Sequence, residues 1–169
     1  MPFEDGSVDA VYSNNLLECV QRPDALLQEM HRILRPGGQI VCAHWDWDSQ
    51  TIDADDKALV RRIVHAFCDF QQKWMEHADG WMGRRLSRLF RHSGRFEGHT
   101  LSRLLTNTRY ESPWFGHGRI NDFRDLIAQG LVTETDYERL LREIHARAES
   151  NRYFYSLTCY VFAGRSIAL

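Results

Sequence analysis

Polar residues of the types that bind ligands and transfer protons are concentrated in two short segments near the start of the chain. Residues 13–15, with the sequence SNN, follow an apolar run at 8–12, and residues 44–48, with the sequence HWDWD, follow a second run at 40–43. Ligands of open α/β sheets bind outside the carboxyl ends of the strands, so both segments are candidate binding edges. Short amide and hydroxyl side chains can hydrogen-bond a zwitterion without crowding it. The alternative for residues 13–15 is a turn, since Asn and Ser favour turns regardless of ligand.

The second segment combines candidate bases with aromatic rings. His44 or Asp46 could take a proton from a nucleophile, and Trp45 or Trp47 could form an apolar wall against a substrate. The alternative is structural. The two Trp rings would then cover the edge of the core, and the acidic residues, Asp48 above all, would cap the next helix.

The elements that position these segments are predicted to be strand, helix and strand. Short apolar runs at 8–12 and 40–44 are typical of buried strands. Pro23 suits the first turn of a helix, and apolar residues recur at helical spacing from there to position 34. Pro36 and the two glycines after it are expected to end this helix and allow a tight reversal. A crossover of this length predicts adjacent parallel strands, with the helix across one face.

The rest of the chain is predicted to consist of helices with two returning strands. Apolar spacing predicts four elements: helices over 53–77 and 84–92, and strands over 100–110 and 153–163. Asn121 is expected to cap a further helix that Gly130 ends. Thr133 and Asp136 predict the start of another helix in a capping-box-like arrangement.

Composition limits the classes of function. The chain has 169 residues, of which 43% are hydrophobic and 26% charged, and a formal net charge of -2, so we expect one domain over 1–169. The low net charge gives no field that would attract nucleic acid or a membrane surface. No apolar run approaches the roughly 20 residues of a membrane span. Four scattered cysteines predict reduced thiols in a cytoplasmic protein, and no His/Cys spacing predicts a metal site.

Residues 2–47 resemble the middle of the class I S-adenosylmethionine (SAM) dependent methyltransferases that act on small molecules in ubiquinone and menaquinone biosynthesis. The resemblance rests on Pro2-Phe3, on VDAV at 8–11, on the pattern E-x-x-R-x-L-x-P-G-G at 29–38, and on the strand that follows. Looser similarities lie at 83–94 and 152–165. The resemblance implies an α/β fold, the carboxyl-terminal half of a partial Rossmann-like sheet of parallel strands with an antiparallel edge. Lid-like helical stretches are implied over 48–94 and 116–150.

The same resemblance implies SAM as cofactor and an O or N nucleophile of a small molecule as methyl acceptor. SAM already activates its methyl group, so the protein mainly has to align the nucleophile and exclude water. The implied cofactor-binding residues are Phe3, Ser13, Asn14, Asn15 and Leu16. The candidate catalytic residues are His44 and Asp46. The candidate substrate-binding residues are Trp45, Trp47, Trp81, Arg84 and Tyr153.

The family's glycine-rich SAM loop has no counterpart in this sequence, where it would precede Phe3. The strand at 8–12 would then lack its inner neighbour, and an unpaired strand edge promotes association. We therefore expect a truncated chain, or a sheet that a second copy in a homodimer or another partner chain completes. The alternative is a non-catalytic pseudo-methyltransferase module that binds a partner chain or a small ligand.

Overall fold

The computed structural model describes residues 1–168, which contain six helices and five strands. In chain order these are β1 (Val8–Asn14), α1 (Pro23–Ile33), β2 (Leu34–Trp45), β3 (Thr51–Ile52), α2 (Lys57–Cys68), α3 (Met82–Ser93), β4 (Phe96–Asn107), α4 (Phe115–Asp122), α5 (Asp125–Ala128), α6 (Glu134–Glu149) and β5 (Tyr155–Ser166). Short 3-10 turns lie at Leu17–Cys19 and Trp47–Ser49. The strands hydrogen-bond in the order β1-β2-β5-β3, and β4 also pairs with β5.

The predicted strand–helix–strand unit is confirmed. β1 pairs with β2 in parallel, with Tyr12 opposite Val41, and α1 crosses between them with Pro23 as its first residue. The start of the second strand was predicted wrongly, because β2 begins at Leu34 and not at Ile40. Leu34 already pairs with Val8, and the register then jumps so that Ala10 lies opposite Gln39. Residues 35–38 therefore bulge out of the ladder, which is where the predicted reversal lies.

The contacts of the chain divide it into two compact units. The first unit comprises residues 1–46, 71–103 and the chain from 159 onward, and the second comprises 47–70 and 104–158. β4 and β5 each contribute residues to both units. The expectation of a single domain stays a prediction.

The sheet of the first unit carries the parallel pair and one antiparallel neighbour. β5 runs antiparallel to β2, with Gly164 opposite Ile40 and Tyr160 opposite His44. This confirms the expected antiparallel edge. A core of eleven buried residues joins the strands to α1 and α3: Leu17, Leu27, Met30, Leu34, Ile40, Cys42, Met82, Leu86, Phe90, Phe96 and Phe162. Each buried aliphatic or aromatic side chain of this kind contributes about 1.5–3 kcal/mol.

The second unit is mainly helical. Its short strand β3 pairs antiparallel with the first residues of β5. The Phe67 and Phe123 rings pack edge to face with centroids 5.2 Å apart. On α6, Leu140 and Ile144 are buried. The predicted start of α6 is confirmed, because the Thr133 hydroxyl accepts a hydrogen bond from the backbone N–H of Asp136 at 3.1 Å.

Two predicted helix boundaries were wrong. The helix expected over 53–77 is limited to α2, which begins where the Asp56 carboxylate accepts from the N–H of Leu59 at 2.9 Å and ends at Cys68. Asn121 lies inside α4 and caps no helix; its side chain instead contacts the Tyr110 hydroxyl at 3.3 Å. The start of α2 is thus fixed by a local cap, whereas Asn121 contacts a residue eleven positions earlier.

Substitution of Gly98 tests the close packing of β4 on β5. A Cβ atom at Gly98 would lie 2.6 Å from the Cα of Gly164 and even closer to the carbonyl oxygen of Ala163. The strands would have to separate, so we expect Gly98→Ala to lower the free energy of unfolding by about 1–3 kcal/mol. Urea denaturation measures the loss.

Gly118→Ala is the matched control for this substitution. A Cβ at Gly118 meets no atom within 4 Å, and the position lies within α4. Alanine there should raise the free energy of unfolding by up to about 1 kcal/mol. Equal denaturation midpoints for the two variants would contradict the packing described for β4 and β5.

Candidate functional site

The carboxyl ends of β1 and β2 meet at one edge of the first unit. Asn14 lies opposite Ala43 in the parallel register. The backbone N–H of Asn15 donates to the carbonyl oxygen of Ala43 at 2.9 Å, and the Asn15 side-chain oxygen accepts from the N–H of Trp45 at 3.2 Å. The two polar segments that the sequence pointed to are thus joined by hydrogen bonds. Asn15 does this from a left-handed backbone conformation, with φ of 50°, which Asn tolerates better than most residues.

The five implied cofactor-binding residues differ in exposure. Ser13 is buried, whereas Phe3 is 51% and Leu16 43% exposed. Asn14 is exposed, and among residues 1–168 its side chain makes no hydrogen bond, so its amide is free to bind a ligand. Asn15 is used within the fold, as described above. Their cofactor roles stay predictions.

His44 is completely buried and its ring is held by the 3-10 turn that follows β1. Its Nε2 accepts a hydrogen bond from the backbone N–H of Leu17 at 3.3 Å. Its Nδ1 lies 3.6 Å from Oε2 of Glu18, a carboxylate that is itself only 4% exposed. Sequence analysis missed Glu18. The signal available was a charged residue inside the apolar stretch NLLECV.

Asp46 lies just beyond β2 and is 1% exposed. Its two carboxylate oxygens accept from Nε and from a terminal nitrogen of Arg84, the latter at 2.6 Å. This is the bidentate geometry that makes arginine–carboxylate pairs strong and directional. The Arg84 guanidinium also lies over the Trp81 ring, 4.7 Å from its centroid. The structure therefore brings together three predicted site residues, although as contacts within the chain.

The segment 76–79 closes over the same edge. The backbone N–H groups of Glu76 and His77 donate to the carbonyl oxygen of Cys19 at 3.1 and 3.2 Å, and that of Asp79 donates to Glu18 at 3.0 Å. The Asp79 carboxylate accepts in turn from the N–H of Trp81 at 3.1 Å and from Arg85 at 2.6 Å. The helix predicted over 53–77 included the first two residues of this segment, so its place at the site was not predicted from the sequence.

Two predicted substrate-binding residues lie in the second unit. The Trp47 ring packs edge to face on Phe67 at 5.5 Å. Tyr153 is 3% exposed, and its ring lies 5.4 Å from that of Tyr110. Burial raises the pKa of Tyr110 to about 12 and raises that of Tyr153 as well. Trp45, by contrast, lies half-buried in the first unit.

The cysteines near this edge are poor nucleophiles. Burial raises the pKa of Cys42 to about 12 and that of Cys19 to about 11, so both thiols stay protonated near neutral pH. Within residues 1–168, no three His, Cys, Asp or Glu side chains are grouped so as to hold a metal ion. Every helix in that range is too short or too polar to span a lipid bilayer.

The residues that build this edge match known methyltransferase sequences. Residues 1–42 match the profile of a family described as "Methyltransferase domain". A 37.1 kDa protein of unknown character in a Streptomyces fradiae transposon is 38% identical over 89 residues, 53% of this chain and 24% of that protein. An uncharacterised methyltransferase of Mycolicibacterium gilvum is 47% identical over 47 residues, 28% of this chain and 18% of that protein. The chain thus spans about a quarter or less of the length of these relatives.

The fold also resembles that of a solved structure. A crystal structure of a presumed methyltransferase from Bacillus halodurans superposes with a TM-score of 0.56 at 15% identity, covering 99% of this chain and 74% of that one. Residues 1–42 thus match a methyltransferase profile, and the fold resembles that of this solved structure. The profile match includes β1, α1 and most of β2, which are the elements that build the edge described above.

Breaking the Asp46–Arg84 pair tests its contribution to the fold. Arg84→Gln would leave the buried carboxylate of Asp46 without its charged partner. Because the Arg84 side chain is 39% exposed, we expect a loss of about 2–3 kcal/mol in the free energy of unfolding, less than the roughly 3–5 kcal/mol for a broken pair that is fully buried. Chemical denaturation measures this loss.

Arg62→Gln provides the matched comparison. Arg62 pairs with Asp136 at 2.9 Å, but its side chain is 58% exposed, so its loss should cost no more than about 1 kcal/mol. If Arg84→Gln were no more destabilising than Arg62→Gln, the Asp46–Arg84 pair would not anchor α3 to the end of β2.

Proposed function

We propose that this chain takes part in SAM-dependent methyl transfer to an O or N nucleophile of a small molecule. One observation carries the proposal. The polar segments after β1 and β2 meet at the carboxyl edge of the sheet, and residues 1–42 of this region match the methyltransferase profile. Ligands of open α/β sheets bind at this edge.

Neutral amide and backbone groups at this edge suit the amino acid part of SAM, a zwitterion that they can hydrogen-bond without crowding it. Asn14 offers a free amide, and Leu16 beside it is exposed and apolar. SAM supplies a methyl group on a sulfonium; as the nucleophile's lone pair bonds to the methyl carbon, the carbon–sulfur bond breaks and sulfur keeps its electron pair. The task of the chain is then to bind, to align the acceptor and to keep water out.

On the acceptor side, we propose that Trp81 and Trp45 supply aromatic surface. Trp81 is 42% exposed, and the Arg84 guanidinium that covers it is fixed by Asp46. An aromatic or conjugated acceptor would pack against such rings with little loss of side-chain freedom. The base role predicted for His44 or Asp46 stays a prediction, and the contacts of both side chains support positioning.

Calorimetry with SAM tests the proposal directly. We expect the full chain to bind SAM, and Asn14→Ala to weaken binding by about 1–2 kcal/mol because it removes hydrogen bonds to the ligand. Gln28→Ala removes an exposed amide from α1 and should leave the affinity unchanged. Absence of binding at millimolar SAM would show that this chain does not hold the cofactor by itself.

The free edge of β1 supports a proposal about assembly. Among the strands of residues 1–168, β1 ends the hydrogen-bonded order, and Tyr12 on it is 71% exposed. We propose that a second copy of the chain covers this edge, because an exposed apolar strand with unpaired backbone groups promotes pairing.

Light scattering tests the assembly. We expect a mass of about twice the 19.8 kDa of one chain. Ala10→Lys places a charge on the exposed part of β1 and should give a single chain, whereas Leu131→Lys, at an exposed position of the second unit, should leave the dimer intact. A stable single chain of the unsubstituted protein at micromolar concentration would refute the homodimer.

A further inference from the structure

We infer that Glu18 and His44 are positioning residues, and that His44 carries its proton on Nδ1 so that Nε2 can hold the turn after β1. The effect of this pair on SAM binding rests on the proposed function. The arrangement itself does not, because it is defined by contacts within the first unit.

The hydrogen bond from Leu17 decides which ring nitrogen of His44 carries the proton. A backbone N–H can only donate, so the Nε2 atom that it approaches at 3.3 Å must present a lone pair and cannot carry hydrogen. The proton of the ring then lies on Nδ1. In histidine generally, the partner of one nitrogen sets the state of the other.

Glu18 faces the nitrogen that carries the proton. Its Oε2 lies 3.6 Å from Nδ1, so the carboxylate stabilises the N–H bond dipole that points toward it. Glu18 is 4% and His44 0% exposed. A buried carboxylate is costly unless donors surround it, so each of the two side chains makes the position of the other favourable.

This pair controls the backbone that would contact SAM. Leu17 lies in the 3-10 turn Leu17–Cys19, and the carbonyl oxygens of Glu18 and Cys19 in that turn bind the segment 76–79. Holding the Leu17 N–H therefore fixes the turn after β1 and, through it, the segment that closes the edge. With its ring buried and its Nε2 lone pair occupied, His44 has no nitrogen left to take a proton from a substrate.

Two isosteric substitutions separate positioning from proton transfer. The side-chain oxygen of glutamine reaches the place of Nε2, whereas the amide of asparagine reaches only that of Nδ1. His44→Gln should keep SAM affinity within about threefold of the unsubstituted chain, and His44→Asn should weaken it about tenfold, because the buried Leu17 N–H then lacks an acceptor. His92→Gln and His92→Asn, at an exposed position of α3, should change nothing.

Nuclear magnetic resonance gives a readout independent of SAM. In the full chain with ¹⁵N-labelled histidine, long-range ¹⁵N–¹H correlation should show the Nδ1–H form, assigned to His44 by its absence in His44→Gln. The Leu17 amide should be protected from hydrogen exchange in the unsubstituted chain and in His44→Gln, and at least about tenfold less in His44→Asn. Glu18→Gln, which keeps an oxygen toward Nδ1, should preserve this protection, and Glu18→Leu should lower it.

The outcomes distinguish the two claims. An Nε2–H form of His44, or equal Leu17 protection in the glutamine and asparagine variants, would overturn the positioning role. If the exchange results stand but the unsubstituted chain binds no SAM, the proposed function fails for this chain and the positioning of the turn is upheld. If both variants lose SAM affinity equally while the glutamine variant keeps Leu17 protected, the imidazole itself contacts the ligand and the inference is wrong.

Discussion

Parallel pairing between β1 and β2 determines which side chains can meet at the candidate site. Because α1 returns the chain in the same direction, Asn14 comes opposite Ala43 and both strands end at one edge. Asn15 then bridges the two ends through its backbone and its side chain. An antiparallel arrangement would have placed the end of one strand beside the start of the other, and the two polar segments would lie apart.

The ionisable side chains at this edge contact one another. Asp46 is paired with Arg84, and His44 lies against Leu17 and Glu18. Buried groups of this kind add less to stability than their geometry suggests, since desolvation offsets much of the attraction. Their stronger effect is to favour one folded structure, because few alternative arrangements would give every one of these groups a partner. Such order matters most for reactions that depend on alignment more than on reactive side chains.

The elements that could be predicted are those determined by residues close together in the sequence. The apolar runs of β1 and β2, Pro23 at the start of α1 and Thr133 at the start of α6 each act within a few residues, and each was identified. The segment after Cys68 could not be, because its backbone groups bind carbonyls of Glu18 and Cys19, more than fifty residues earlier. The burial of His44 was equally hidden, since the spacing of residue types does not show that a distant amide occupies its ring nitrogen.

The bulge at residues 35–38 has a consequence for how this sequence can vary. Between the two paired positions, one residue of β1 (Asp9) corresponds to four of β2 (35–38), so the chain between helix and ladder is longer than the sheet requires. Side chains alternate across a strand, and a shift of one residue normally turns every buried side chain outward. Here the bulge at residues 35–38 can take up an inserted or deleted residue before the ladder resumes at Gln39. The length of α1 can therefore change without changing the face of the sheet on which Ile40, Cys42 and His44 lie.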